Sequence, residues 1–213
     1  MDKKKYRLAL FDFDGTLADS FPFFVGVFNE LAVKHGFRQL RPEQLPLMRR
    51  LDARRNMELV GMPRWKLPLV AASFIRLMKG QGGEIPLFEG IEETLAHLSE
   101  RGVTLALVTS NSVDNAVRIL GPANAGLFAH REGSMSIFGK RAKILRILAR
   151  SGIAPAEAIY VGDQISDLQA AREAGVAFGA VAWGYAELDA LRRHAPEEVF
   201  QTVGELRRIA ALR

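Results

Sequence analysis

Short apolar runs recur along the chain, and each of them ends abruptly in polar residues or glycine. The runs are Tyr6–Phe11, Val103–Val108, Ala158–Val161 and Val176–Ala182. Because they are continuously apolar and do not alternate with polar positions, they predict strands that are buried on both faces, as in a parallel sheet.

Segments with helical periodicity lie between the later runs. Ile91–Arg101 precedes the second predicted strand, Lys140–Arg150 precedes the third, and Ser166–Ala174 follows it. Strands that alternate with helices of this length are typical of α/β proteins. We therefore predict a Rossmann-like, doubly wound parallel sheet.

The segment from about residue 21 to residue 83 breaks this alternation, since it contains no clear strand. Its first part has apolar residues at helical spacing, and prolines interrupt the helical material that follows. We predict a small all-helical insert at residues 19–84, placed within an α/β core formed by residues 1–18 and 85–213. The hinges would lie near residues 19–20 and 80–84, where the second stretch is rich in glycine.

Composition narrows the class of protein. The 213 residues are 48% hydrophobic and 25% charged, which is typical of a globular domain. Cysteine is absent, which excludes disulfides, thiol nucleophiles and cysteine metal sites. No apolar run is long enough to cross a membrane, and the start MDKKKYR lacks the apolar region of a secretory signal. We expect a cytoplasmic protein with no membrane partner.

The net charge of +5 suits anionic partners such as phosphorylated metabolites or nucleic acid. No basic run is interleaved with aromatic residues, so a nucleic-acid partner is not expected. One basic cluster lies in the predicted helical insert, where arginine could bind carboxylate or phosphate, although a solvated helix face is the favoured interpretation. The cluster consists of Arg49, Arg50, Arg54 and Arg55.

The first predicted strand runs directly into two aspartates, in the stretch FDFDGTLADS from Phe11 to Ser20. Asp12 and Asp14 are two positions apart, so on a strand both side chains point the same way. Ligands of open parallel sheets bind beyond the carboxyl ends of the strands. Two carboxylates there repel each other unless a cation lies between them or one keeps a proton. A simple Asp-Gly turn is the alternative.

DFDGTLADS resembles the first motif of the haloacid dehalogenase-like hydrolase superfamily, D-x-D-G-T-L-x-D-S. The second family motif is a Thr or Ser at the end of an apolar strand, and here VTLALVTSN supplies Thr109, Ser110 and Asn111. Hydroxyl and backbone N–H groups at such a position can hold a phosphate oxygen, whereas a helix cap is the alternative.

The third family motif is a lysine, for which FGKRAKIL supplies Lys140. Lysines at the start of a helix are disfavoured by the helix dipole, which indicates that this one serves another purpose. The family often has Lys-Pro where this chain has Lys-Arg, so Lys143 stays open as the alternative. The fourth motif, G-D-x-x-x-D, matches YVGDQISD with Asp163 and Asp167.

The resemblance implies a role for each of these residues. Asp12 would be the nucleophile that forms an aspartyl-phosphate, and Asp14 would be the general acid and base. Mg²⁺ would be bound by the side chains of Asp12 and Asp163 and by the backbone carbonyl of Asp14, with Asp167 orienting them or binding through water. The phosphoryl group would be held by Thr109, Ser110, Asn111 and Lys140.

The resemblance also implies the activity, a Mg²⁺-dependent phosphatase with a cap like that of the phosphoglycolate phosphatase-like group. The substrate would be a small phosphorylated metabolite, such as phosphoglycolate, a sugar phosphate or a nucleotide. Dehalogenation is disfavoured because dehalogenases of this superfamily lack the second acid, Asp14. A phosphomutase of the same superfamily and a non-enzymatic phosphate-binding partner protein are the alternatives. The sequence does not distinguish a monomer from a homodimer.

Overall fold

The computed structural model describes residues 5–81, 85–133 and 139–211. Six parallel strands form one sheet in the order β3-β2-β1-β4-β5-β6. They are β1 (Leu8–Phe11), β2 (Thr104–Thr109), β3 (Phe128–Gly133), β4 (Ala158–Gly162), β5 (Ala177–Val181) and β6 (Glu198–Phe200). The strand order turns back at β1, which pairs with β2 on one side and β4 on the other. Such a reversal opens a crevice where ligands bind in α/β sheets.

The helices fall into two groups. Those inserted between β1 and β2 are α1 (Phe21–His35), α2 (Leu45–Met48), α3 (Ala53–Leu59) and α4 (Leu67–Gln81), and α5 (Ile91–Glu100) then leads into β2. The others are α6 (Val113–Gly126), α7 (Lys140–Ser151), α8 (Ile165–Glu173) and α9 (Leu188–Arg192). Among the described residues, no helix is long and apolar enough to span a membrane.

Both faces of the sheet are covered. In β1, Ala9 and Phe11 belong to one apolar cluster, whereas Leu8 and Leu10 belong to the cluster on the opposite face. The first cluster also contains side chains of α5, and the second contains side chains of α7 and α8. The prediction of a doubly wound, Rossmann-like α/β core is confirmed, and all four predicted strands are present.

β3 and β6 were not predicted. β3 carries the polar residues His130, Arg131 and Glu132 and lies at the edge of the sheet, where one neighbour is enough. β6 has three residues and forms the other edge. Edge strands need not be continuously apolar, so the pattern that reveals the central strands is missing from both.

Side chains of α1 to α3 and of the segments that join them form a separate apolar cluster that includes Leu40, Met48 and Val60, whereas Met78 of α4 belongs to a cluster on the sheet. Two chain segments connect these helices to the rest of the protein, and they run side by side. The Asp19 N–H of the first donates to the Pro86 carbonyl of the second at 2.9 Å. Gly80 belongs to α4, and residues 82–84 of the predicted hinge lie outside the described residues. The boundary at residue 84 therefore stays a prediction.

Candidate active site

Asp12 and Asp14 lie at the carboxyl end of the central strand. Asp12 continues the pairing of β1 with β4, since its N–H donates to the Val161 carbonyl at 2.9 Å. The next turn needs glycine at position 15, where φ is +78°. A Cβ atom there would lie 2.3 Å from Asp163 Oδ2. The turn therefore allows the loop after β4 to approach the acids of the first motif closely.

Lys140 joins two of the acids. It begins α7, and its Nζ donates to Asp12 Oδ2 at 2.7 Å and also to Asp167 Oδ1. Burial alone would lower the pKa of this ammonium group, but the Asp12 and Asp167 carboxylates outweigh burial and hold the pKa well above its usual value. A buried cation of this kind persists only with anionic partners. The structure thus brings the lysine to the predicted nucleophile.

Asp163 and Asp167 complete a buried acidic cluster. Asp12, Asp163 and Asp167 each offer a carboxylate oxygen, and these oxygens lie within 4.8 Å of one another. Burial and the neighbouring acids, Asp167 foremost, raise the pKa of Asp163 well above its usual value. Burial likewise raises the pKa of Asp167, to about 7. Carboxylates crowded in this way are the ligands that a hard divalent cation prefers, and such a cation would relieve their repulsion.

The environment of Asp14 is different. Its Oδ2 accepts a hydrogen bond from Asn111 Nδ2 at 3.2 Å, while its Oδ1 is buried and has no hydrogen-bond partner. Burial raises the pKa of the Asp14 carboxyl to about 6, and the Asp12 carboxylate adds to the rise. A carboxyl group with a pKa near neutrality and one unengaged oxygen can both give and take a proton.

The residues at the end of β2 and in the loop that follows have two kinds of position. Some line the cavity, and others form hydrogen bonds within the loop. Ser110 and Asn111 line the same cavity as Asp12 and Asp14. Thr109 is fully buried, and its Oγ1 accepts from the Asn111 N–H at 2.9 Å. Lys143 Nζ donates to the Thr109 carbonyl at 2.6 Å. Of the two candidate lysines, the structure therefore places Lys140 at the acids and Lys143 against the backbone of this loop.

The cavity has a volume of about 290 Å³ and lies between the helical insert and the carboxyl edge of the sheet. Asp12, Asp14 and Lys140 line it on the sheet side, and residues of α1, α3 and α4 line it on the other. A ligand bound at the acids would therefore extend into the helical insert.

The loop after β5 was missed by sequence reasoning. The Tyr185 N–H donates to Asp163 Oδ2 at 2.7 Å, so this peptide orients an acid of the cluster. Gly184 is required beside it, because a Cβ atom there would lie 2.1 Å from Asp163 Cβ. The end of the run Val176–Ala182 at the functional edge of the sheet was the available signal, but Trp-Gly-Tyr carries no chemistry that would single it out.

Arg49 of the insert contacts this same loop. Its Nε and Nη2 atoms donate to the carbonyls of Tyr185 and Gly184, each at 3.0 Å. The interpretation of the arginine cluster as a solvated face is wrong for Arg49, which is half-buried. It holds for the three exposed members, Arg50, Arg54 and Arg55. Because the neighbours of Arg49 in sequence are so similar, only the tertiary structure distinguishes it.

The motifs, the fold and the comparisons with known proteins agree. A family model described as haloacid dehalogenase-like hydrolase matches residues 9–181. The chain belongs to the haloacid dehalogenase-like hydrolase family. It is 30% identical over 202 residues to a phosphoglycolate phosphatase of Synechococcus elongatus, covering 92% of this chain and 93% of that one.

Two further proteins are similar to this chain over most of its length. A phosphoglycolate phosphatase of Pseudomonas aeruginosa is 26% identical, covering 94% of this chain and 78% of that one. A haloacid dehalogenase-like hydrolase of Streptococcus pneumoniae superposes with a TM-score of 0.78 at 22% identity, covering 95% of this chain and 97% of that one, which shows the shared fold. The predicted family is confirmed, and this haloacid dehalogenase-like protein is a phosphatase.

Proposed function

We propose that this phosphatase hydrolyses a small phosphate monoester in a Mg²⁺-dependent reaction through an aspartyl-phosphate on Asp12. The proposal rests on the different hydrogen-bond partners of the two acids at one end of the cavity. Asp12 is paired with Lys140, while Asp14 keeps a buried oxygen without a partner. Asp12 is thus held in place by an ammonium group, while Asp14 would be the acid that exchanges a proton.

In the first half of the reaction, an oxygen of Asp12 attacks phosphorus and the bond from phosphorus to the ester oxygen breaks. The Asp14 carboxyl gives its proton to that departing oxygen. Lys140 holds Asp12 in place and offsets negative charge that gathers around the phosphoryl group. In this role the ammonium group needs to stay charged, which its raised pKa ensures.

In the second half, Asp14 is a carboxylate and takes a proton from a water molecule. The water oxygen attacks phosphorus, the bond from phosphorus to Asp12 breaks, and inorganic phosphate leaves. Asp14 recovers its proton and Asp12 its carboxylate. A pKa of about 6 suits a group that must work in both directions near neutral pH.

The acidic cluster fits a Mg²⁺ ion, which when bound would neutralise charge on the phosphoryl group. Asp12, Asp163 and the backbone carbonyl of Asp14 would hold it. Asp167 would orient these groups, because its oxygens accept hydrogen bonds from Lys140 and from the Gln164 N–H.

The helical insert would act as the cap of the active site, with residues 19–84 as cap and residues 1–18 and 85–213 as core. Its contact with the core, supported by the hydrogen bonds of Arg49 to the loop after β5, would help to keep bulk water away from the reacting group. The phosphoryl group would be held by Thr109, Ser110, Asn111 and Lys140. Of these, Thr109 would act through its O–H, which can still donate to a phosphate oxygen while its Oγ1 accepts from the Asn111 N–H.

The aspartyl-phosphate can be tested by acid quenching of the Asp14→Asn variant during turnover with Mg²⁺, followed by peptide mapping. This variant lacks both the acid of the first half-reaction and the base of the second, so the substrate is 4-nitrophenyl phosphate, whose leaving group departs without a proton. Phosphorylated Asp12 should then accumulate on the peptide that contains it. An Asp12→Asn, Asp14→Asn double variant is the control and should remain unlabelled. A phosphorylated residue other than Asp12 would contradict the proposal.

A further inference from the structure

The cavity beyond the acids has an unusual lining for an enzyme whose relatives are named for phosphoglycolate, a small dianionic ester that also carries a carboxylate. Its far side is formed by apolar side chains of the cap, several of them phenylalanine. These include Phe21, Phe24, Phe28, Phe37, Met57 and Phe74. A carboxylate that lost its hydration in such surroundings would need a cation or several donors to replace the water.

The charged groups of the cap that line the cavity make hydrogen bonds within the protein. Arg49 donates to two backbone carbonyls, and its guanidinium lies 5.3 Å from the centre of the Phe21 ring. Asp52 caps α3, because its Oδ1 accepts from the Arg55 N–H at 2.8 Å. Among the described residues that line the cavity, the remaining cation is Lys140, which is paired with the catalytic acids.

Asn56 is a polar residue of the cap that also lines the cavity, and one of its side-chain atoms has no hydrogen-bond partner. Its Nδ2 donates to the carbonyls of Met48 and Leu51 at 3.0 and 3.3 Å. These two acceptors define the orientation of the amide, since a flipped amide would set its oxygen against both carbonyls. Asn56 Oδ1 is buried without a hydrogen-bond partner, and Asn56 lines the cavity. A buried acceptor left unpaired is unfavourable, so a donor on the bound ligand would satisfy it.

The size of the cavity also indicates a bulky leaving group. A cavity of about 290 Å³ is far larger than a carboxymethyl group needs. An aromatic ring or a branched hydrocarbon would fill it and would displace water from the phenylalanine side chains. Because the cavity is continuous with Asp12 and Asp14, the group that fills it is the one attached to the departing oxygen of the ester.

We propose that the preferred substrate is a phosphate monoester with a bulky, apolar leaving group of about the size of an aromatic ring, carrying one hydrogen-bond donor that meets Asn56 Oδ1. This inference rests on the proposed phosphatase function of the same site. It assigns specificity to the phenylalanine-lined cavity and to Asn56.

The first test compares esters whose leaving oxygens are all primary alkoxides, so that their intrinsic reactivities differ little. Benzyl phosphate and 2-phenylethyl phosphate represent the proposed class, and ethyl phosphate and 2-phosphoglycolate represent small and anionic leaving groups. With Mg²⁺, kcat/KM for benzyl phosphate should exceed that for ethyl phosphate and for 2-phosphoglycolate by about tenfold or more, as expected for an apolar pocket that is filled rather than empty.

The second test uses ratios measured on one enzyme preparation, in which any loss of folded protein cancels. Phe28→Ala should lower the ratio of kcat/KM for benzyl phosphate to that for ethyl phosphate by about fivefold to tenfold. Val33→Ala is the matched control, because Val33 lies on the same helix with 69% of its surface exposed. For Val33→Ala, the ratio of kcat/KM for benzyl phosphate to that for ethyl phosphate should equal the wild-type ratio.

Asn56 is tested with benzyl phosphates that carry a hydroxymethyl group at each ring position. At least one isomer should be preferred over unsubstituted benzyl phosphate, and Asn56→Leu should abolish that preference. Rejection of every isomer would overturn the role of Asn56.

The outcomes separate the inference from the function on which it rests. Faster hydrolysis of 2-phosphoglycolate than of benzyl phosphate, or equal rates for all four esters, would overturn the inference and leave the phosphatase assignment intact. Absence of Mg²⁺-dependent phosphate release from every ester would overturn both.

Discussion

Lys140 Nζ lies 2.7 Å from Asp12 Oδ2, and both side chains are almost completely shielded from solvent. Removing such a pair from water is costly, and stability alone seldom justifies it. Lys140 also begins a helix, where a cation is disfavoured. The proposed mechanism accounts for its position, since positive charge is needed beside the acid that would receive the phosphoryl group.

Lys140→Met should therefore reduce kcat/KM by roughly 100- to 1,000-fold, the effect typical of losing one charge-stabilising donor. Lys143→Met is the informative comparison, because Lys143 is equally buried but donates to the Thr109 carbonyl. It should lose less than about tenfold in the same assay once the folded fraction has been checked by circular dichroism. A larger loss for Lys143→Met would reassign the lysine of the third motif.

The acidic cluster should destabilise the metal-free protein at alkaline pH. Burial and mutual repulsion raise the pKa of Asp163, and that of Asp167 to about 7. Between about pH 4 and these raised values the folded chain holds protons that the unfolded chain has released, so the free energy of unfolding falls as pH rises. Asp163→Asn removes one of the charges and should stabilise the metal-free protein at pH 8 by roughly 0.5–2 kcal/mol.

Urea unfolding in EDTA at pH 5 and pH 8 measures this effect. The advantage of Asp163→Asn over the wild type should be larger at pH 8 than at pH 5, because Asp167, with a pKa of about 7, is then deprotonated. An advantage that is independent of pH would mean that charge repulsion in the cluster is not its cause.

Mg²⁺ should reverse the destabilisation. Metal binding requires deprotonated carboxylates, so protons compete with the cation at low pH. In thermal unfolding, Mg²⁺ should raise the Tm of the wild type more at pH 8 than at pH 5.5, and should raise that of Asp163→Asn little at either pH. Chelation with EDTA should abolish activity, and addition of Mg²⁺ should restore it. Equal stabilisation of both proteins would place the cation elsewhere.

Arg49 is expected to hold the cap over the acids. It donates to the carbonyls of Gly184 and Tyr185, and the Tyr185 N–H in turn orients Asp163. Arg49→Ala should lower kcat/KM by about tenfold, since it loosens both the cover and the loop beneath it. Arg54→Ala is the control, because Arg54 is exposed and pairs with Glu58 on its own helix. Equal values of kcat/KM for Arg49→Ala and Arg54→Ala in steady-state assays would exclude this role of Arg49.

Much of the site could be predicted because its residues follow strands. Asp12, Thr109 and Asp163 each lie at the end of a continuous apolar run, and the carboxyl ends of parallel strands meet at one edge. The choice between Lys140 and Lys143 could not be predicted, since the two lie one turn apart on the same helix. It depends on where α7 begins relative to the sheet, which sequence periodicity does not specify.

The cap and the loop after β5 could not be predicted in detail for a related reason. Tyr185 reaches Asp163 through its backbone N–H, which any residue could supply. Arg49 reaches the same loop across 136 positions of the chain, and its neighbours are arginines as well. Such contacts depend on the packing of the insert on the sheet, and no local pattern reports them.

Phosphate release from a panel of phosphate monoesters, with and without Mg²⁺, is the most direct measurement, with Asp12→Asn as the control. The account predicts Mg²⁺-dependent release of inorganic phosphate by the wild type and none by Asp12→Asn, although this variant folds. A phosphomutase would instead return the phosphoryl group to an organic product without net release. Full Mg²⁺-dependent activity of Asp12→Asn would contradict the account, because no aspartyl-phosphate could then form at that position.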